Sequence, residues 1–189
     1  MRLKHLTLAA VCGFFAFWAQ ASDLSEKLES SDYVLLMRHT RAPGLGDPPR
    51  YTLDDCKTQR NLSSEGRSQA VVVGNWLKKQ GIKTADVRSS AWCRCKDTAE
   101  RLNFKGFKVE PTLASFFDDM DQAPERTQAL QKFIAERRQS KGPQALILVT
   151  HHVNIHAYMG ENIASGDMVL AKVDSQGKML SYQLIPRPD

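Results

Sequence analysis

Two stretches far apart in the chain follow the same pattern. Tyr33-Val34-Leu35-Leu36-Met37 runs into Arg38-His39-Thr40, and Ala145-Leu146-Ile147-Leu148-Val149 runs into Thr150-His151-His152. An unbroken apolar run of this length, bounded by polar residues, predicts a strand covered on both faces, as in a parallel sheet. Between the two strands, over 33–39 and 144–150, the periodicity changes. Ala70, Val73, Gly74 and Leu77 recur at helical spacing and predict a helix that starts near Ser63 and stops at Gly81. Ser63 is a good N-cap, and Glu65 in the first turn suits the helix dipole. A short opening helix is expected over 22–31, short strands over 86–90 and 108–112, and helices over 94–103 and 125–138. An edge hairpin is expected over 168–173 and 179–185, turning at Asp174-Ser175-Gln176-Gly177. Strands alternating with helices predict one α/β domain, a three-layer sandwich around a mostly parallel sheet. In such sheets ligands bind at the carboxyl ends of the strands, where both histidines fall.

The residues before this domain have another character. Met1 to His5 is basic, Leu6 to Trp18 is apolar, and Ala19-Gln20-Ala21 is a small-residue cleavage site. This reads as a secretory signal peptide over 1–21, cut before Ser22, with the domain over 22–189. The apolar run is short for a membrane span. Val11 before Cys12 is too bulky for a typical lipobox. The expected product is periplasmic or secreted, without integral membrane association.

The full chain carries a net charge of +5, and loss of Arg2 and Lys4 leaves +3. That mild, scattered excess suits small anions and is too weak for a nucleic-acid partner. Three cysteines remain, Cys56, Cys93 and Cys95, so an oxidising compartment predicts one disulfide and one thiol. The expected bridge joins Cys56 to Cys93 or Cys95.

The candidate chemistry lies at the strand ends. A neutral imidazole such as His39 is a competent nucleophile, and the adjacent Arg38 can neutralise phosphoryl oxygens. Arg94 opens a helix, where unpaired N–H groups attract anions. Of His151 and His152, only one should face the site if the strand continues. His152 and His156 stand four apart and could hold a metal on a helix, but no carboxylates lie near them in sequence. No metal or other cofactor is expected. The long loop over 41–61, rich in Pro and Gly, leaves the strand end carrying His39 and is expected to form the lip of the site.

Four motifs in order resemble the histidine phosphatase superfamily, whose fold is phosphoglycerate-mutase-like. Arg38-His39-Thr40 matches Arg-His-Gly. Leu62-Ser63-Ser64-Glu65-Gly66-Arg67-Ser68-Gln69-Ala70 matches Leu-Ser/Thr-x-x-Gly-x-x-Gln-Ala. Ser89-Ser90-Ala91-Trp92-Cys93-Arg94, with Thr98-Ala99, matches Ser-Ser-Pro-x-x-Arg-x-x-x-Thr-Ala. Val149-Thr150-His151 matches Val-Thr-His. The resemblance implies that His39 accepts the phosphoryl group and that Arg38, Arg94 and His151 complete the phosphate pocket. It also implies an acid. Leu113-Ala114-Ser115 has serine where the mutase-like branch has glutamate, so one of Asp118, Asp119 and Asp121 is expected to substitute, with Asp118 favoured. Thr40 replaces a glycine and Ala91 a proline. Arg41 and Pro43 each fall one position early for the acid-phosphatase branch, and His151 precedes histidine rather than aspartate. The small, mutase-like branch is therefore the better match.

The resemblance implies an exported, metal-independent phosphomonoesterase acting on a small phosphorylated substrate. Phosphorylated envelope sugars are a candidate, by analogy with exported relatives. The rivals are a phosphotransferase or mutase of the same fold, and a catalytically silent binding protein for phosphorylated glycans.

Overall fold

The computed structural model describes residues 23–140 and 142–189. The predicted signal peptide and its cleavage site lie outside the described residues.

Six strands form one sheet: β1 Tyr33–Arg38, β2 Ala85–Ser89, β3 Lys108–Val109, β4 Ala145–Thr150, β5 Met168–Val173 and β6 Met179–Ile185. Their spatial order is β3-β2-β4-β1-β5-β6. The first four are parallel, and β5 and β6 are antiparallel to their neighbours. The helices are α1 Asp23–Glu29, α2 Ser64–Lys79, α3 Cys93–Leu102, α4 Ala123–Ser140 and α5 His152–Met159. This is the predicted three-layer α/β sandwich.

The two apolar runs become the central pair, β1 against β4. Alternate side chains of each strand enter opposite layers. Leu35, Met37, Ile147 and Val149 pack with Leu24 and Leu28 of α1, Val73 and Leu77 of α2, and Ala99 and Leu102 of α3. Val34, Leu36, Leu146 and Leu148 pack with Leu130, Phe133 and Ile134 of α4 and with Ile155 and Tyr158 of α5. Both faces of both strands are therefore buried, which is why neither sequence alternates.

Several boundaries differ from the sequence reading. β3 is only two residues long, because Pro111 has no N–H for a ladder and opens a 3-10 turn over Pro111–Leu113. The hairpin pairs through β5 with β1, so of its two strands only β6 lies at an edge of the sheet. The run ending Thr150-His151-His152 does not continue as a strand: α5 starts at His152.

This topology places the site. The chain leaves β1 through α2 toward β2, on one side of the central pair. It leaves β4 through α5 toward β5, on the other side. The carboxyl ends of β1 and β4 therefore flank a topological switch point, the crevice where α/β sheets bind ligands. The two strands stay joined past their ends by His39 N–H to the Thr150 carbonyl, 3.0 Å, and Ser90 N–H joins β2 to the Val149 carbonyl, 3.0 Å.

The loop over 41–61 is fastened at several points. Ser63 caps α2 through its hydroxyl to Gly66 N–H, 3.0 Å. Gly66 is required there, since a Cβ would stand 2.1 Å from the Arg41 carbonyl oxygen passing over the helix start. The Arg60 guanidinium donates to the Gly46 and Ala42 carbonyls. A disulfide joins Cys56 to Cys93, with Cα atoms 5.7 Å apart, and Cys95 is the buried thiol. Cys93, at the first position of α3, meets the loop; Cys95, just over half a turn further round, points into the core beneath the Thr150 carbonyl.

Closing a loop of this length stabilises the fold by roughly 2–4 kcal/mol. Reduction of the mature protein is therefore expected to lower its denaturant midpoint without changing the native fold. Peptide mapping of the oxidised protein should find the Cys56–Cys93 peptide and unmodified Cys95. A Cys56–Cys95 peptide, or three thiols, would contradict this pairing.

Candidate phosphate-binding site

One narrow cavity opens at the switch point. Its lining includes Arg38 and His39 from the end of β1, Arg94 from α3, and His151 and His152 from the end of β4. Gly44 to Asp47 and Arg60 of the lip, together with Ser115, Phe117 and Asp118, complete it. All five residues expected at the phosphate and its acid, His39, Arg38, Arg94, His151 and Asp118, are brought together. Both histidines of the His151-His152 pair face the cavity. That corrects the expectation of one, because the change from strand to helix between them abolishes the alternation of sides.

His39 is buried, and its Nδ1 lies 2.8 Å from the Thr40 carbonyl. A carbonyl oxygen only accepts, so Nδ1 carries the proton and Nε2 keeps the lone pair. Burial, above all, pushes the imidazole pKa down to about 3, and Arg94, Arg60 and Arg38 push the same way. The ring is neutral at neutral pH, the state a nucleophile needs.

His151 is held in the opposite tautomer. The Arg94 Nη2 donor lies 3.4 Å from its Nδ1, which must accept. Its Nε2 therefore carries the proton and donates to Ser90 Oγ at 2.8 Å. Burial and then Arg94 hold it neutral, well below the usual imidazole range. The rings of His39 and His151 stand edge to face, 5.7 Å between centroids. His152 is also pushed down, by burial and by the three arginines. His156, four residues further along α5, is exposed and lies outside this cavity lining.

The cations are fixed. Arg38 Nη1 donates to the Ile163 carbonyl at 2.7 Å. Arg94 is 3 % exposed and pairs with Asp47 through Nη1, 2.9 and 3.0 Å to the two carboxylate oxygens. Five buried side-chain polar atoms lack a partner among the described residues, and two are the Nε atoms of Arg38 and Arg94. Buried donors without partners are costly, and an anion in the cavity would be the natural acceptor.

The acidic stretch separates by position. Asp118 lines the cavity and accepts a hydrogen bond from the Tyr51 hydroxyl, 3.3 Å. Asp119 precedes the turn over Met120–Gln122 and accepts from Gln122. Asp121 belongs to that turn. The segment bearing Asp118 is pinned to the sheet by Thr150 Oγ1, which donates to the Leu113 carbonyl, and by Asn154 Nδ2, which donates to the Ala114 carbonyl. Thr40, where the motif has glycine, turns away from the cavity: its N–H and hydroxyl meet Thr98 Oγ1, each at 3.2 Å.

Sequence reasoning missed Asp47, Arg60, His152 and Ser90. Asp47 and Arg60 sit in an irregular loop, where no periodicity says which side chains turn inward. The only signal was an acid between two glycine or proline punctuations, Gly46-Asp47-Pro48. The sequence leaves open whether Cys95 is the bridge partner or the thiol; its sulfur lies 3.5 Å from His151 Nε2. Burial pushes its pKa up to about 12, so it stays a protonated packing group.

No family sequence model matches the chain, and no curated protein matches it by sequence. Solved structures do match by fold. The protein histidine phosphatase SixA bound to tungstate superposes with a TM-score of 0.58 at 19% identity, over 82% of this chain and 97% of that one. The mycobacterial glucosyl-3-phosphoglycerate phosphatase with VO3 gives 0.59 at 16% identity, over 84% and 100%. The Entamoeba histolytica phosphoserine phosphatase with 3-phosphoglyceric acid gives 0.57 at 11% identity, over 79% and 95%. With its sheet order, and with residues of three of its four motifs meeting at one switch-point cavity, the chain has the phosphoglycerate-mutase-like fold seen in these histidine phosphatase structures.

Proposed function

We propose that the chain is a phosphomonoesterase that works through a phosphohistidine on His39. The observation that carries this reading is the placement of a buried, neutral His39, protonated on Nδ1, among Arg38, Arg60 and Arg94. In the first step Nε2 attacks phosphorus and the ester P–O bond breaks. Asp118, entering as the carboxylic acid, protonates the departing oxygen. In the second step the Asp118 carboxylate takes a proton from water, whose oxygen attacks phosphorus and breaks the P–N bond. Inorganic phosphate leaves, and Asp118 is again protonated. The arginines neutralise the equatorial oxygens throughout, so the protein's own fixed cations supply the charge stabilisation.

The phosphatase names of the fold neighbours support this reading, as do the tungstate and VO3 bound to two of them. Export to the periplasm or beyond rests on the signal-like N-terminus, and the Cys56–Cys93 bridge is consistent with an oxidising compartment. Phosphorylated envelope sugars are the proposed substrates. The serine at 115 and the rim position of Asp118 favour one second reading, a silent binder of phosphorylated glycans.

A panel of phosphorylated sugars and para-nitrophenyl phosphate, assayed with the mature protein, separates the two. Turnover is expected to survive a chelator and to be inhibited by vanadate. Binding of sugar phosphates without any turnover would establish the silent reading. Loss of turnover in chelator, restored by zinc or magnesium, would overturn the phosphohistidine route.

A further inference from the structure

The lip places a second carboxylate, besides Asp118, in a cavity that otherwise collects cations and imidazoles. Asp47 has a side chain only 4 % exposed. It accepts four hydrogen bonds. Oδ1 takes Arg60 N–H at 2.9 Å and Arg94 Nη1 at 2.9 Å. Oδ2 takes Trp92 Nε1 at 3.1 Å and Arg94 Nη1 at 3.0 Å. The flanking Gly44 and Gly46 have φ of +92° and +63°, conformations that let the loop turn Asp47 inward while Leu45 stays in solvent.

An anion beside Arg94 weakens the field that an incoming phosphate would feel. If charge alone mattered, an uncharged residue at position 47 would make a stronger anion site. What the carboxylate adds is direction. Arg94 Nη1 is taken by Asp47, and one Nη2 hydrogen is turned to His151 Nδ1. The guanidinium plane is thereby set, and the donors left for a ligand are the remaining Nη2 hydrogen and the unpartnered Nε. The bond to Trp92 reinforces this, since that indole packs edge-on against the His151 ring at 5.2 Å. The same carboxylate thus orients both the guanidinium and, through Trp92, the second imidazole.

We propose that Asp47 is a positioning residue for phosphoryl transfer: it aims Arg94 at the equatorial oxygens of the transition state, at the expense of ground-state attraction for the phosphate. The inference rests on the proposed phosphoryl pocket. It predicts a split that a purely structural role would not produce. A group that only holds the fold together would, when removed, weaken every ligand alike. A group that aims a donor at the five-coordinate geometry would, when removed, spare tetrahedral phosphate and penalise the transition state.

Calorimetric titration of wild type and Asp47→Asn with inorganic phosphate and with vanadate tests this without depending on turnover. Asparagine keeps the shape and one acceptor, and a thermal melt checks the fold. In Asp47→Asn, phosphate affinity is expected to hold within about twofold or to rise, while vanadate affinity falls about tenfold. Where turnover is measured, kcat should fall about tenfold at unchanged or lower KM. Asp47→Asn combined with Arg94→Ala should bind vanadate no worse than Arg94→Ala alone, because the effect runs through Arg94. Equal losses for phosphate and vanadate, or an additive double variant, would overturn the positioning role. If Asp47→Asn is unstable, Asp47→Glu replaces it, with the same split expected from a displaced carboxylate. Wild type that binds neither anion would instead overturn the phosphoryl pocket, and this inference with it.

Discussion

His39→Ala is expected to abolish turnover and covalent labelling together. The substitution removes the proposed acceptor and leaves the arginine cage in place, so substrate should still bind. Loss of a nucleophile that works as part of a unit costs on the order of 10⁴-fold or more in rate. A brief reaction with labelled substrate, quenched in alkali, should trap label on the wild-type peptide containing His39, because a phosphoramidate survives alkali and is labile in acid. The variant should carry none.

The same residue predicts a pH signature. Its pKa is depressed to about 3, so the nucleophile stays neutral well below the ordinary imidazole range. Turnover should therefore show no loss of nucleophile near pH 6.5. Stability carries the opposite mark. The folded state resists a proton that the unfolded state accepts, so this residue makes stability fall as pH drops from about 6.5 toward 3. Near-normal turnover in His39→Ala would mean that the chain is no histidine phosphatase in its chemistry, whatever its fold.

Arg94→Lys, which keeps the charge, is expected to lower kcat about 10²- to 10³-fold, the scale of removing an aligned donor from a transition-state clamp. Arginine here serves three directions at once. Nη1 meets Asp47, Nη2 meets His151 Nδ1, and Nε is left for the ligand. A lysine ammonium is a point charge that cannot hold this planar arrangement. It would leave the buried Asp47 carboxylate short of its main partner and release the His151 ring from its tautomer. The melting temperature should fall as well, since breaking a buried pair strands one charge. Steady-state kinetics beside a thermal melt distinguish the two effects. A variant within threefold of wild-type kcat would show that Arg94 contributes charge rather than geometry.

Much of this site was legible because it sits on the regular part of the fold. Runs such as Val34 to Met37 and Leu146 to Val149 can be buried on both faces only in the middle of a covered sheet. A residue at the end of such a run, His39 or His151, therefore has one place to go. The disulfide could be read only as far as Cys56, because cysteines two residues apart on a helix differ in direction, and that direction depends on what the helix packs against.

By itself, then, the sequence determined the layers, the central strand pair and the two histidines at its carboxyl edge, since burial and backbone periodicity are local consequences of the order of residues. Tertiary structure alone decided the inward turn of Asp47 and Arg60 from an aperiodic loop, the arrival of His152 beside His151, the choice of Cys93 over Cys95, and the position of Asp118 rather than Asp119 or Asp121 at the cavity. Apart from His152, whose turn into the cavity follows the local change from strand to helix, each of these depends on contacts between segments tens of residues apart, and no periodicity along the chain records them.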